Sequence, residues 1–153
     1  MLKRYQFIYV LLVMIGIATH ASAIDIAKDG KPLATIVLAT DASAPQKHGA
    51  DELASFLKQV TGATFTIAAQ PDSGLAGIYV GPTAAKMIDP AFSVDGLGTD
   101  GLIIRTVGND LILAGGETRG TLYAVYSFLE DDVGCRWWTP TEATIPSKPT
   151  LSF

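Results

Sequence analysis

The sequence predicts an α+β fold, a mixed β-sheet carrying two long helices. Two observations lead there. Apolar residues recur at three- and four-residue spacing in two stretches, Ser43 to Gly62 and Arg119 to Gly134, each with helix start and stop signals at its ends. Between and around them lie short runs rich in β-branched residues, punctuated by Gly, Pro, Asn and Asp, which is how strands and turns read. A strand, helix, strand order follows, and one face of each helix must lie on the sheet.

Taken in order, Ile24 to Lys28 and Ala34 to Leu38 are strand-like runs either side of an Asp29-Gly30 turn, expected as a hairpin or as two adjacent strands. Ser43-Ala44-Pro45-Gln46 has the capping-box pattern, a serine cap answered by glutamine three residues on, with proline in the first turn. A helix should start there and bury Ala50, Leu53, Phe56, Leu57 and Val60, with Asp51 and Glu52 toward its positive end and Gly62 stopping it. Thr64 to Ile67 and Gly77 to Val80 are strand candidates, and Thr83 to Met87 is one helical turn. Asp89 to Asp100 reads as a loop too polar and glycine-rich to pack. Leu102 to Val107 and Leu111 to Ala114 flank Gly108-Asn109-Asp110, whose residues tolerate a tight hairpin turn. The second helix then buries Leu122, Val125, Tyr126, Leu129 and Val133 and ends at Gly134, and Thr144 to Phe153 is expected as an extended exit segment.

The run Arg119-Gly120-Thr121-Leu122-Tyr123-Ala124-Val125-Tyr126, with Phe128-Leu129-Glu130 and Gly134-Cys135-Arg136-Trp137-Trp138-Thr139-Pro140, resembles the N-terminal domain of α-glucuronidases and related glycosidases. The same module is similar to the non-catalytic domain that precedes the barrel of β-N-acetylhexosaminidases, so a hexosaminidase domain 2-like fold is implied. The resemblance also implies an accessory role, with catalytic carboxylates on a following (β/α)8 barrel that lies outside these residues. It further implies glucuronoxylan or a similar acidic saccharide as the parent enzyme's substrate.

Residues 1–23 read as a secretory signal peptide: Lys3 and Arg4, an apolar run from Phe7 to Ala18, and a small-residue cleavage site at Ala21-Ser22-Ala23. Residues 24–153 then form one exported domain, periplasmic or extracellular, with no membrane association after cleavage. The chain has 11 basic residues, two of which leave with the signal, against 15 acidic ones. Nucleic acid is therefore excluded as a partner. Cys135 is the single cysteine, so a core rather than internal disulfides must hold the exported chain together, and Cys135 reads as a small buried residue.

Catalytic chemistry finds little material. Gly96-Leu-Gly-Thr-Asp-Gly101 matches the dinucleotide fingerprint letter by letter, yet a loop precedes it and a strand follows, the reverse of what that motif needs. His48 is the one histidine beyond the signal, expected to cover an edge of the core; a zinc site or a Ser-His-Asp triad lacks ligands, and no cofactor or metal is expected. Glu130, Asp131 and Asp132 fan out on a helix end and read as a solvated terminus or as a contact for a basic partner. Arg119, a cation in the first turn of a helix, needs an anion: Glu117 or a nearby aspartate, or a carboxylate on a substrate or barrel. Arg136, Trp137 and Trp138 follow in an extended segment, where neighbours point to opposite sides, so one indole belongs to the core and the other faces out.

The leading expectation is a non-catalytic domain bracing the barrel of a polysaccharide-degrading glycoside hydrolase. Two rivals are a free-standing carbohydrate-binding module using Arg119, Arg136, Trp137 or Trp138, and a domain that docks on another exported protein.

Overall fold

The computed structural model describes residues 23–139 and 141–153, so the expected signal peptide lies outside the described residues except for Ala23. Five strands form the main sheet in the order β4-β3-β5-β7-β6: β3 (Ala34–Leu38), β4 (Ile67–Ala68), β5 (Ala76–Val80) and β7 (Asp110–Gly115) run parallel, and β6 (Leu102–Val107) closes one edge antiparallel to β7. Both faces are covered. Ile36, Ile78, Val80, Leu111 and Leu113 point into the core beneath the long helices, while Val37, Tyr79, Ile112 and Ala114 point the other way. Strands buried on both sides read as continuous apolar runs, which is how Ala34 to Leu38 and Leu111 to Ala114 read in the sequence.

Helix α1 (Ala44–Thr61) starts on the capping box, where Ser43 N–H donates to Gln46 Oε1 at 3.0 Å, and stops at Gly62, left-handed at φ 78°. It buries Ala50, Leu53, Leu57 and Val60 as expected, with Phe56 half-buried beside them. The second helix, α3 (Gly120–Ser127), continues as a π-helical turn, Phe128–Val133, and ends on Gly134 at φ 93°. Val125, Leu129 and Val133 are buried as expected, while Leu122 and Tyr126 are half-buried; Ala124 and Phe128, at the same three- and four-residue spacing, complete the buried face. The two helices cross closely at Gly49, where an added Cβ would lie 3.5 Å from Val125 Cγ2 and 3.6 Å from Leu122 Cδ1.

Several expectations need correction. The run after Asp29-Gly30 is not the hairpin partner: β1 (Asp25–Lys28) turns onto the two-residue β2 (Lys31–Pro32), and β3 lies in the other sheet. Burial explains the separation, because Asp25 and Lys28 at the ends of β1 are exposed whereas Ala34 to Val37 are buried on both faces and belong at a sheet centre. The strand placed at Thr64 to Ile67 is confined to β4, Ile67–Ala68, since Phe65 turns into the core. Asp51 and Glu52 lie in the middle of α1 rather than toward its positive end, and His48 is exposed rather than edging the core. The loop after α2 (Pro82–Ala85) does pack, through Phe92, which is buried with Val37, Tyr79 and Ile112 and covered by the Arg105 guanidinium at 5.4 Å.

The C-terminal segment packs back onto the domain. Strand β10 (Leu151–Ser152) pairs with β1, and Ile24 and Phe153 exchange backbone hydrogen bonds at 2.7 and 2.9 Å. Lys148 ties both helix ends together: its N–H donates to Val60 O at 2.7 Å and its ammonium to Val133 O at 2.8 Å. Those carbonyls are among the groups that a helix C-terminus leaves without partners.

Between the helices, the Tyr126 hydroxyl donates to Glu52 Oε2 at 3.0 Å. Burial first, then this hydrogen bond, push the phenol up from 10.0 to about 12. Between these two values the unfolded chain ionises while the folded one keeps its proton, so the contribution is complete below pH 10 and is lost as pH rises toward 12. Tyr126→Phe is expected to cost about 1 kcal/mol at pH 8 and to flatten the alkaline loss of stability, as read from urea midpoints taken between pH 9 and 12.

Candidate functional site

The parallel strands deliver their carboxyl ends to one edge of the sheet. Ser43 starts α1 there after β3, Gly81 starts α2 after β5, and Gly115 to Arg119 lead from β7 into α3. Helix α1 packs on one face and α2 on the other, so the edge beside β3 and β5 is a topological switch point, where open sheets hold ligands. Here the crevice is filled from within: Gln46 lies over Gly81, whose added Cβ would be 3.1 Å from Gln46 Cδ. What remains is two shallow depressions that share Glu117. One, of about 400 Å³, is lined by Ser43, Pro45, Gln46, Glu117 and Thr118, and the other, of about 360 Å³, by residues that include Asp95, Thr99, Gly116 and Glu117. Thr118 is held at φ 76°, a conformation that strains a β-branched residue. Asp95 and Glu117 are both exposed. The edge offers hydroxyls, amides and solvated carboxylates rather than an enclosed acid and base.

The glycine run beside these depressions has a structural role. The loop lies on the β7–α3 turn so closely that an added Cβ at Gly116 would overlap the Gly98 carbonyl oxygen, and one at Gly120 the Gly101 carbonyl oxygen. Gly116 N–H donates to Gly101 O at 2.8 Å and Arg119 N–H to Thr99 O at 3.2 Å. These amides are engaged by the chain itself and are not turned toward a phosphate. Arg119 closes the contact, its Nε and Nη2 donating to the two oxygens of Asp100 at 2.9 Å each, with the guanidinium 5.7 Å from the Tyr123 ring centroid. The anion that Arg119 needs is therefore a nearby aspartate.

The other sequence-derived candidates lie beyond the far end of α3. Fourteen helical residues separate Arg119 from Gly134, about 20 Å at 1.5 Å per residue, so Arg119 and the tryptophans do not share a site. Strand β8 (Arg136–Trp137) pairs with β9 (Ala143–Thr144) in a small hairpin. Trp137 is the half-buried indole, edge-on to Phe56 at 5.2 Å and to Tyr126 at 5.5 Å between centroids. Trp138 is the outward one, 68% exposed, its Nε1–H donating to Thr144 Oγ1 at 2.9 Å. Arg136 clamps the helix end, donating to the Glu130 carbonyl and to Cys135 O at 2.9 Å, with Glu130 Oε1 at 3.8 Å. Cys135 is buried, and burial raises its thiol above the usual range against the opposing charges of Lys148 and Arg136. Among the described residues no group of three or more His, Cys, Asp and Glu side chains could hold a metal ion.

Sequence reasoning missed Glu117 and Thr118 as lining residues and Lys148 as a clamp. All three depend on contacts between distant segments, and no local pattern announces them.

The family model described as the glycosyl hydrolase family 67 N-terminus matches residues 23–128. No curated protein matches the chain. Among solved structures, a family GH115 4-O-methyl-α-glucuronidase with specificity for decorated arabinogalactans is similar with a TM-score of 0.56 at 20% identity, over 84% of this chain and 17% of that one. That likeness is one of fold, and the chain spans about a sixth of that enzyme.

Gly116→Ala is expected to destabilise by at least about 3 kcal/mol, because backbone cannot move aside as a side chain would. Gly96→Ala, left-handed but in open space, should cost about 1 kcal/mol. Urea midpoints of the two variants check the contrast.

Proposed function

Since the chain belongs to the glycosyl hydrolase family 67 N-terminus family, we propose that it is an exported, non-catalytic accessory domain that braces a catalytic barrel in an α-glucuronidase-like, polysaccharide-degrading enzyme. The observation that carries this reading is the match to an N-terminal domain across residues 23–128, in a fold whose likeness covers only 17% of the GH115 α-glucuronidase chain. The chemistry of the chain agrees with it. Asp100 is paired with Arg119, Asp89 with Arg105 and Glu130 with Arg136, Asp110 accepts the Gly77 N–H at 2.6 Å, and Glu52 accepts from Tyr126. These carboxylates have partners within the chain, and Asp95 and Glu117 at the open sheet edge are solvated, whereas a glycosidase holds two carboxyl groups on either side of a sugar bond, one of them kept protonated by its surroundings.

The parent enzyme's substrate in this reading is an acidic xylan or a similar uronate-bearing saccharide, and the brace works through surface contact rather than through a cofactor. Export follows from the Lys3-Arg4 and apolar N-terminal pattern, with cleavage before Ile24.

Incubated alone with glucuronoxylan, the chain is expected to release no uronic acid, while its presence raises the melting temperature of a family 67 barrel stripped of its own N-terminal domain. Turnover by the chain alone would overturn the reading. Edman sequencing of secreted material should begin at Ile24; a start at Met1 would refute export by cleavage.

A further inference from the structure

The main sheet has two unlike edges. Strand β4 presents two residues, too short a run to template another strand, whereas β6 runs for six in unbroken register with β7, without proline or bulge.

Hydrogen bonding fixes which groups of β6 are free. Gly116 N–H donates to Gly101 O, so by alternation Ile103, Arg105 and Val107 direct their backbone N–H and C=O at β7, while Leu102, Ile104 and Thr106 direct theirs away from the sheet. Among the described residues no backbone group bonds those outward ones.

The side chains do not close the edge either. Arg105, the one charge on β6, lies on the rear face, paired with Asp89 and laid over the Phe92 ring. On the α3 side Leu102 is 36% exposed, and Tyr123, against the Arg119 guanidinium that bonds Asp100 just before β6, is 38% exposed.

A row of alternating donors and acceptors accepts only an extended strand. That strand must be apolar toward α3 and must set no cation opposite Arg105. A second β6 meets both demands. About a two-fold axis normal to the sheet at Ile104, Ile104 faces its own copy, Leu102 faces Thr106 of the second copy, and Ile103 faces Arg105. Every outward N–H and C=O is then paired. Centring the axis on Arg105 instead brings two guanidinium groups together, and centring it on Ile103 leaves Thr106 opposite the loop before the strand, so the Ile104 register is the one this sequence selects.

We propose that β6 is a dimerisation strand, to which a second copy of this chain adds antiparallel about an axis through Ile104, giving one continuous sheet. The pairing stands independently of the bracing role.

The test is light scattering of the mature chain across a concentration series, with amide hydrogen exchange on the same samples. The expected result is a dimer whose Leu102, Ile104 and Thr106 amides exchange slowly and speed up on dilution. Thr106→Pro removes an N–H that β7 does not use, so it is expected to keep the wild-type circular dichroism while weakening the dimer at least about tenfold. Leu102→Lys/Thr106→Lys sets like charges opposite one another and is expected to be monomeric, whereas Leu102→Lys/Thr106→Glu sets opposite charges there and is expected to dimerise again. Within one strand Leu102 and Thr106 lie roughly 13 Å apart, so only pairing between copies produces that reversal. A monomer at every concentration, or a dimer that every variant shares undiminished, would overturn the proposal. Protection of the same amides that appears only when a family 67 barrel is added would make the barrel the occupant and refute it equally.

Discussion

The position of α3 depends on how closely two stretches of backbone approach one another. Gly116 meets Gly98, and Gly120 meets Gly101, at separations that no Cβ could occupy. This contact fixes the turn out of β7, and the Arg119–Asp100 pair lies across it. Exposed pairs of this kind contribute little to stability by themselves, so the close backbone approach and its hydrogen bonds are the larger constraint. From there α3 runs across the sheet and sets where the β8–β9 hairpin emerges, so a contact at one edge determines a surface at the other.

The rest of the core depends on strands buried on both faces. One side is covered by α1 and α3, which come together at Gly49, and the other by α2 and Phe92. The C-terminal segment completes the enclosure, β10 pairing with β1 while Lys148 bonds carbonyls at the ends of both helices. A chain without internal disulfides holds its first and last described strands together in this way.

What was legible in the sequence was local. Ser43 and Gln46 mark one helix start, Gly62 and Gly134 mark two helix ends, and Gly108-Asn109 marks the β6–β7 turn, because in each case the residue type answers a backbone requirement at that place. The same reasoning placed one tryptophan inside and one outside, but which was which depended on Phe56, eighty residues away in the chain. The strand partner of β1, the packing of Phe92 and the clamp at Lys148 were illegible for the same reason: each is settled by a distant segment. The Gly96 to Gly101 run has a loop before it and strand β6 after it, as its context implies, yet its structural use, backbone packed on backbone, is invisible until the turn after β7 is placed beside it.

The site reads the same way. Arg119 announced its need for an anion, and Asp100 supplies it, whereas the exposure of Trp138 is visible only once the hairpin's two faces are separated. The central claim is that this chain works as a non-catalytic brace for a catalytic barrel. Hydroxyl-radical footprinting of the chain with and without a family 67 barrel tests it most directly. The account predicts that the barrel protects exposed side chains of this domain; an unchanged footprint would contradict it.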